Sequence, residues 1–336
     1  MSIKLYGKRA ATIVAFLSII LSTYLTGCGS DSHIMDAEVL VSDVKAAAED
    51  TEVRTNPNSL LNVPTQVNKI GDDYFLVDCY NNQVIYSDSM ERPLYEWKVM
   101  TSDINMGHTV ASDGQVYLVD DTENNRVMVF EKYEDRFINT QVLNGIGNRP
   151  HYIIYNEKDD TFYCWSSMTG EMYLMKREGQ SNQVFVSKIL AVEELNGVYV
   201  RSFTIIGDEV YFVSGNCQII KCKLKNLKIT GRYVVPLELA GMIQIMPVEN
   251  QFLITVSTDA NGSQAFATII QTDSLEGLFE GNYTDVYDEN FVGGGTPYYM
   301  TKIDGIYYLT EHRVPGHSVW SFEFADGRIN NVKAVY

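Results

Sequence analysis

Two of the five histidines, His108 and His151, occur in the same local setting, directly after a glycine or proline and at the start of an apolar run. An imidazole binds metal or moves a proton near neutral pH. Arg149 and Arg201 offer guanidinium groups that hold a carboxylate or phosphate, and Tyr298 offers a ring and a hydroxyl group. If the fold brings these five side chains together, they form a site for an anionic or sugar-like ligand.

The five cysteines show no spacing typical of a zinc site, and we expect neither a metal nor another cofactor. Cys79 and Cys164 lie in apolar strand patterns and are expected to be small buried residues. A bridge between Cys217 and Cys222 stays open, because the two residues flank one short strand.

The first residues of the chain have the layout of a secretory signal peptide, with basic residues before an apolar run over residues 10–25. That run is shorter than the ~20 residues that span a bilayer. The sequence LTGC at residues 25–28 resembles the lipobox of bacterial lipoproteins. The resemblance implies that residues 1–27 are removed and that Cys28 becomes the first residue, carrying acyl chains such as palmitate. We therefore expect anchoring to the cell membrane through lipid on Cys28, on the extracytoplasmic face; an uncleaved anchor or a secreted form is the alternative.

Residues 28–62 are interpreted as the lipidated cysteine and a tether that lifts the body from the membrane. Within this segment, residues 37–50 fit either one short helix or, in part, a strand added to the body.

The chain is acidic, with a net charge of −17 that becomes −20 when residues 1–27 are removed. Such a body is a poor partner for nucleic acid or for anionic lipid. The charge favours solubility, with recruitment of a cationic partner as the alternative.

From residue 63 onward the chain repeats a pattern of short apolar strands and polar turns. Aligning the copies on their central apolar residue gives intervals of 42, 45, 49, 41 and 55 residues, for Leu76, Leu118, Tyr163, Phe212, Leu253 and Tyr308. Each copy holds four strand-like segments, which is the length of one propeller blade. We predict an all-β body over residues 63–336, a six-bladed β-propeller of four-stranded blades, with seven or five blades as the next options.

The copy at residues 114–132 resembles an NHL repeat, with YLVDD, a polar turn carrying Asn-Asn-Arg, and VMVF; the copy at 72–88 shares the pattern. Asp78 and Asp120 lie in these turns and are expected to bind backbone amides. The resemblance implies a propeller that is used for binding in some proteins and for catalysis in others.

The propeller prediction places the first strand of every blade along a central channel. One mouth would then present six residues at the starts of these strands: Thr65 or Gln66, His108, His151, Arg201, Met242 and Tyr298, with Arg149 nearby. These groups either bind a ligand or fill the channel with ordinary hydrogen bonds and water, and both interpretations stay open.

Two classes of function are compatible with this pattern. The first is a non-catalytic binding module for a small ligand or an envelope protein. The second is a propeller hydrolase or lyase working at the mouth, with or without a metal. Lactonases of the gluconolactonase group are six-bladed propellers with acidic metal ligands on the inner strands, and no acid stands at the strand starts here. We therefore favour the binding module.

Overall fold

The computed structural model describes residues 37–179, 181–314 and 316–336. The predicted signal peptide, Cys28 and the first part of the predicted tether lie outside the described residues. None of the helices within these ranges is long and apolar enough to cross a bilayer.

In the described residues the strands form six antiparallel sheets, each built from four consecutive strands, and one of them gains a fifth strand from the segment before the blades. The first and second sheets, blades 1 and 2, contain β2 (Pro64–Ile70), β3 (Asp73–Asp78), β4 (Gln83–Ser87), β5 (Lys98–Thr101), β6 (Val110–Ser112), β7 (Val116–Asp121), β8 (Arg126–Tyr133) and β9 (Arg136–Asn144). Blades 3 and 4 contain β10 (Pro150–Asn156), β11 (Thr161–Ser166), β12 (Glu171–Arg177), β13 (Val184–Ala191), β14 (Val200–Ile206), β15 (Glu209–Ser214), β16 (Gln218–Lys223) and β17 (Ile229–Val234). Blades 5 and 6 contain β18 (Met242–Val248), β19 (Gln251–Val256), β20 (Thr268–Thr272), β21 (Thr284–Asp285), β22 (Thr296–Ile303), β23 (Ile306–His312), β24 (Val319–Ala325) and β25 (Arg328–Ala334).

This architecture is the predicted six-bladed β-propeller, and the all-β fold class is confirmed. The six aligned apolar residues all fall on the second strand of their blade, from Leu76 on β3 to Tyr308 on β23. The helices are short: α1 (Val44–Glu49), α2 (Tyr287–Asn290), and one-turn 3₁₀ helices at Cys79–Asn81, Leu94–Glu96, Thr122–Asn124, Glu193–Leu195, Leu237–Leu239 and Gln264–Phe266.

Neighbouring blades are joined around the channel by side chains that bind the next blade's backbone. The Gln66 carbonyl oxygen accepts from the Val110 amide at 2.8 Å, and the Thr109 hydroxyl accepts from the Ile153 amide at 2.9 Å. Gln244 binds both backbone groups of Met300, at 2.6 and 3.0 Å. Since inner strands of adjacent blades share no backbone ladder, these bonds satisfy backbone groups that the channel would otherwise leave unpaired.

Apolar layers between the blades form the core. Trp165 and Phe212, both fully buried, meet between blades 3 and 4 with ring centroids 4.4 Å apart. An aromatic cluster of Phe75, Tyr117 and Phe137 fills the space between blades 1 and 2. Burying each large side chain contributes about 1.5–3 kcal/mol, so the blade interfaces hold the ring together.

Blades 1 and 6 close the ring without exchanging a strand. The Thr310 hydroxyl donates to the Thr65 carbonyl at 2.9 Å. The Trp97 indole N–H donates to the Tyr336 hydroxyl at 2.9 Å, and that hydroxyl lies 2.8 Å from the Met90 carbonyl. Ring closure, which the sequence did not decide, therefore rests on side-chain contacts at this seam.

Residues 37–56 run along the outer edges of blades 2 and 1. Strand β1 (Ala37–Val39) pairs with β9 as a fifth strand, and α1 follows with its Ala48 side chain buried. Thr55 then forms a β-bridge to Lys98 on the outer strand of blade 1. Of the predicted tether, the part from residue 37 onward packs on the body, and both the strand and the short helix that the sequence left open are present.

Candidate functional site

The first strands of the blades share an irregularity at the channel mouth. In five of the six blades within the described ranges, the pairing of the first two strands shifts register after the first or second inner-strand residue. Such bulges re-aim a side chain. The residues at these bulges are Thr65, His151, Arg201, Ile243 and Tyr298; blade 2 pairs without a shift, and His108 lies two residues before its inner strand. The blade-5 residue predicted from sequence, Met242, was therefore one position too early, because the bulge falls on Ile243.

Three residues just before these positions adopt left-handed backbone conformations: Val63, Met106 and Arg149 have φ angles of 55°, 56° and 61°. This conformation costs roughly 1–2 kcal/mol in a residue with a side chain. The same strain occurs in three consecutive blades at one mouth. Such strain persists only where many surrounding contacts hold the backbone in place. It places the Arg149 side chain at the rim.

His108 is held by polar groups on both ring nitrogens. Its Nδ1 lies 3.0 Å from the Thr122 hydroxyl, which lies 2.9 Å from an Asp120 carboxylate oxygen and 2.7 Å from the Pro150 carbonyl. Because both of those groups accept only, the hydroxyl accepts from Nδ1–H. Nε2 is then the free acceptor, and the Cys79 Sγ lies 3.8 Å from it.

The thiol of Cys79 is fully buried. Burial, with smaller effects from the carboxylates of Asp120 and Asp78, raises the pKa of this thiol well above its usual range. The thiol therefore stays protonated and donates a hydrogen bond to His108. Cys79 is thus not a thiolate nucleophile.

His151 is saturated by tyrosine hydroxyl groups. The Tyr299 hydroxyl donates to the Arg201 carbonyl at 2.9 Å and accepts from His151 Nδ1 at 3.0 Å. The Tyr199 hydroxyl donates to Nε2 at 3.0 Å, with the Tyr298 hydroxyl at 3.5 Å. Burial and the nearby His108, Arg201 and Arg149 lower the pKa of His151 well below its usual value. This imidazole is neutral, and a metal could bind it only by displacing a tyrosine.

The rings stack into a plug across the channel. His108 and His151 lie face to face with centroids 3.7 Å apart, and Tyr298 lies 6.2 Å from His108 at a similar tilt. His108 is 5% exposed, His151 is fully buried and Tyr298 is 7% exposed. The structure thus brings these three predicted residues together, buried in the channel.

Arg201 is the partly exposed member of the six residues at the mouth. Its guanidinium lies 4.6 Å from the centre of the Tyr199 ring, which is close enough for a cation–π contact. Arg149 lies 6.0 Å from the same ring and pairs with Glu123. No carboxylate pairs with Arg201 anywhere in residues 37–179, 181–314 and 316–336. The open part of the mouth therefore consists of the guanidinium groups of Arg149 and Arg201 beside the Tyr199 ring, and Glu123 is the carboxylate paired with them.

A groove of about 760 Å³ continues from this mouth between blades 1 and 6. His312 lines the groove, and its ring lies 6.2 Å from Tyr298. Burial, followed by the charges of Arg313 and Arg201, lowers the pKa of His312 to about 4. Exposed Leu60, Tyr80 and Tyr95 make the groove largely apolar.

Sequence reasoning missed Tyr199 and the residues around His108. Tyr199 lies in a loop before β14, and its position two residues before Arg201 is the one sequence feature that links it to the site. Cys79 and Thr122 occupy equivalent positions, directly after the second strands of blades 1 and 2. That equivalence is visible in the NHL-like copies and could have linked them to the mouth.

The predicted role of the turn acids is confirmed. Asp78 accepts from the Asn62 amide at 2.7 Å, and Asp120 accepts from the His108 and Thr109 amides at 2.9 and 2.7 Å. Asp121 performs the role of Asp78 in blade 2, accepting from the Asn105 amide at 2.7 Å.

In the part of the chain that the structure describes, no group of three or more His, Cys, Asp and Glu side chains is placed to hold a metal ion. Cys79, Cys164, Cys217 and Cys222 are free thiols, the first two fully buried as expected.

No family model matches the sequence, and no curated protein matches it. Solved structures do resemble the fold. A proposed 6-phosphogluconolactonase from Bacteroides fragilis NCTC 9343 aligns with a TM-score of 0.56 at 12% identity, over 78% of this chain and 80% of that chain. Its counterpart from Bacteroides uniformis ATCC 8492 gives 0.54 at 10% identity, over 77% and 80%. Streptogramin B lyase gives 0.56 at 11% identity, over 83% and 85%.

The shared property is the propeller fold. At such identities a common fold does not carry a common activity, so the names of these proteins leave binding and catalysis equally open.

Proposed function

We propose that this protein is a lipid-anchored extracytoplasmic propeller that acts as a binding module, taking the anionic group of a small ligand or protein partner at the channel mouth. The observation that carries the proposal is Arg201. Five of the six residues at the mouth are buried, and Arg201 presents a guanidinium without a carboxylate partner in the described residues, in a chain with 43 acids and 26 bases.

The chemistry of the mouth supports an anion. Arg149 keeps donors free beyond the one bound to Glu123, because a guanidinium carries five N–H groups. The ring of Tyr199 holds both guanidinium planes in place, which lowers the entropy lost on binding. A planar carboxylate or a phosphate satisfies this arrangement with paired hydrogen bonds.

Calorimetric titration with inorganic phosphate and with D-gluconate tests the binding site. We expect Arg201→Gln to weaken binding by at least about tenfold, since hydrogen bonds to charged groups are worth about 1.5–3 kcal/mol. Arg328→Gln is the matched control, because that arginine is exposed at the start of β25, away from the mouth. Failure of both anions to bind, or equal affinity in Arg201→Gln, would refute the site.

The anchor is tested separately. Cells fed radiolabelled palmitate should label the wild-type chain and not Cys28→Ser, and the variant should leave the membrane fraction. Label that persists in Cys28→Ser would remove the lipid anchor from the proposal and leave the binding site untouched.

One observation favours the enzymatic alternative, a hydrolase or lyase at the same mouth. His108 is oriented through Thr122 and Asp120, as a general base is oriented by a third group. A screen of lactones and esters decides: turnover by the wild type that His108→Gln abolishes would replace the binding module by an enzyme.

A further inference from the structure

The channel has a second opening, at the ends of the inner strands, and it holds a cavity of about 650 Å³. The edge-to-face pair Tyr152 and Tyr299, with ring centroids 4.9 Å apart, lies between this cavity and the histidine plug. The cavity is therefore separate from the mouth of Arg201, and its volume suits one small ligand.

Uncharged polar side chains from every blade of the described ring line the cavity, together with four charged side chains. The amide and hydroxyl groups in the lining come from seven residues: Gln66, Asn68, Ser112, Tyr152, Thr204, Gln244 and Thr301. Between them lie aliphatic surfaces such as Ile154 and Met246. Amides and hydroxyls interleaved with apolar patches match a molecule with hydroxyl groups on its edge and C–H groups on its faces.

Some of these groups have hydrogen-bonding capacity to spare. Gln66 uses its carbonyl oxygen to hold the Val110 amide, while its NH₂ makes no hydrogen bond within the described residues. The Tyr152 hydroxyl accepts weakly from Gln244 at 3.5 Å, which leaves its own hydrogen free. The Thr301 hydroxyl makes no hydrogen bond in the same residues. Donors without partners at a solvent-filled cavity are ready for a ligand's oxygen atoms.

The charges of the lining side chains sum to zero. Two lysines, Lys69 and Lys302, are balanced by Asp113 and Glu157. Lys69 is already paired with Asp304 at 2.6 Å. Asp113 is likewise paired with Arg177 at 2.7 Å. A cavity without net charge gives an ionic ligand no electrostatic advantage over an uncharged one.

We propose that this cavity is a binding site for an uncharged carbohydrate of one or two sugar rings. It is independent of the anion site, and the two openings of the channel select ligands of different charge.

Saturation-transfer NMR and calorimetry with D-glucose, D-galactose, N-acetyl-D-glucosamine and maltose test the site on the intact chain. Thr301→Val keeps the side-chain volume and removes the spare hydroxyl, so the affinity should fall by about two- to tenfold, the factor for one neutral hydrogen bond. Thr301→Tyr extends a ring into the cavity and should weaken binding more than Thr301→Val does. Arg201→Gln is the control and should bind the sugar as the wild type does.

If none of the four sugars binds, the cavity is a water-filled end of the channel and the proposal is wrong. It is equally wrong if Arg201→Gln loses the sugar while Thr301→Tyr keeps it, because the ligand then sits in the mouth. Should Thr301→Tyr fail to fold, the conservative Thr301→Val decides alone, with unchanged affinity counting against the site.

Discussion

The half-buried imidazole of His312 predicts how the stability of the propeller depends on pH. In the folded protein the pKa of His312 is about 4, whereas a histidine in an unfolded chain has a pKa of about 6.5. Between these values the unfolded chain binds a proton that the folded chain does not. The contribution of His312 to folding is therefore fully present above pH ~6.5 and is lost as the pH falls to ~4.

The magnitude follows from the difference between the two pKa values. Each pH unit of difference corresponds to about 1.4 kcal/mol, so the gap between about 4 and the ordinary 6.5 predicts a loss of about 3 kcal/mol. A substitution that cannot take up a proton, His312→Gln, removes this dependence. The variant's free energy of unfolding should be lower than that of the wild type at neutral pH, and the difference should shrink by about 3 kcal/mol towards pH 4.

Urea unfolding followed by tryptophan fluorescence, at several pH values between neutrality and ~4, measures this difference. Arg313→Gln is the companion variant, because the charge of Arg313 is the second cause of the low pKa after burial. It should weaken the pH dependence without abolishing it. The reasoning fails if wild type and His312→Gln lose stability in parallel, or if the His312 ring protons titrate near the unfolded value in NMR.

Three further predictions concern the ring and the turns. Tyr336→Phe removes the hydroxyl that accepts from Trp97 and bonds to blade-1 carbonyls, and it should cost about 1–3 kcal/mol; thermal unfolding that stays unchanged would mean that the seam is held elsewhere. Asp120→Asn should cost about 2–4 kcal/mol in chemical unfolding, because the buried carboxylate accepts from two backbone amides and the Thr109 hydroxyl; a loss comparable to that of a surface Asp→Asn change would contradict this. Burial raises the pKa of Glu311, so its carboxyl favours folding at low pH and opposes it above the raised value. Glu311→Gln should therefore gain stability over the wild type at neutral pH and not at pH ~4, and a gain that does not vary with pH would refute the assignment.

Much of the fold followed from local pattern. Alternating apolar residues define strands, and a recurrence of about 45 residues defines blades, so the six second strands around Leu76 to Tyr308 were placed correctly. The NHL-like pattern also predicted the amide-binding acids, because the short Asp side chain at a turn accepts hydrogen bonds from nearby backbone amides. These features depend on residues close together in sequence.

The site was predicted in part. The starts of the inner strands were identified, and the structure brings His108, His151 and Tyr298 together. The sequence left open whether they fill the channel or face a ligand, because their burial depends on how tightly six blades close on the channel. The one-residue error at Met242 has the same origin, since a bulge shifts which side chain enters the channel.

The sequence by itself determined the repeat, the all-β architecture, the acidity of the body and the residue types available at the mouth. The tertiary structure alone decided which of those residues are exposed and able to bind a ligand. Burial, with the nearby His108, Arg201 and Arg149, lowers the pKa of His151 and keeps it neutral, while Arg201 keeps an open guanidinium on Tyr199. It also decided that residues 37–56 brace blades 1 and 2, because strand pairing joins segments about a hundred residues apart, as in β1 and β9. Exposure, protonation state and pairing are properties of three-dimensional packing, and no local pattern contains them.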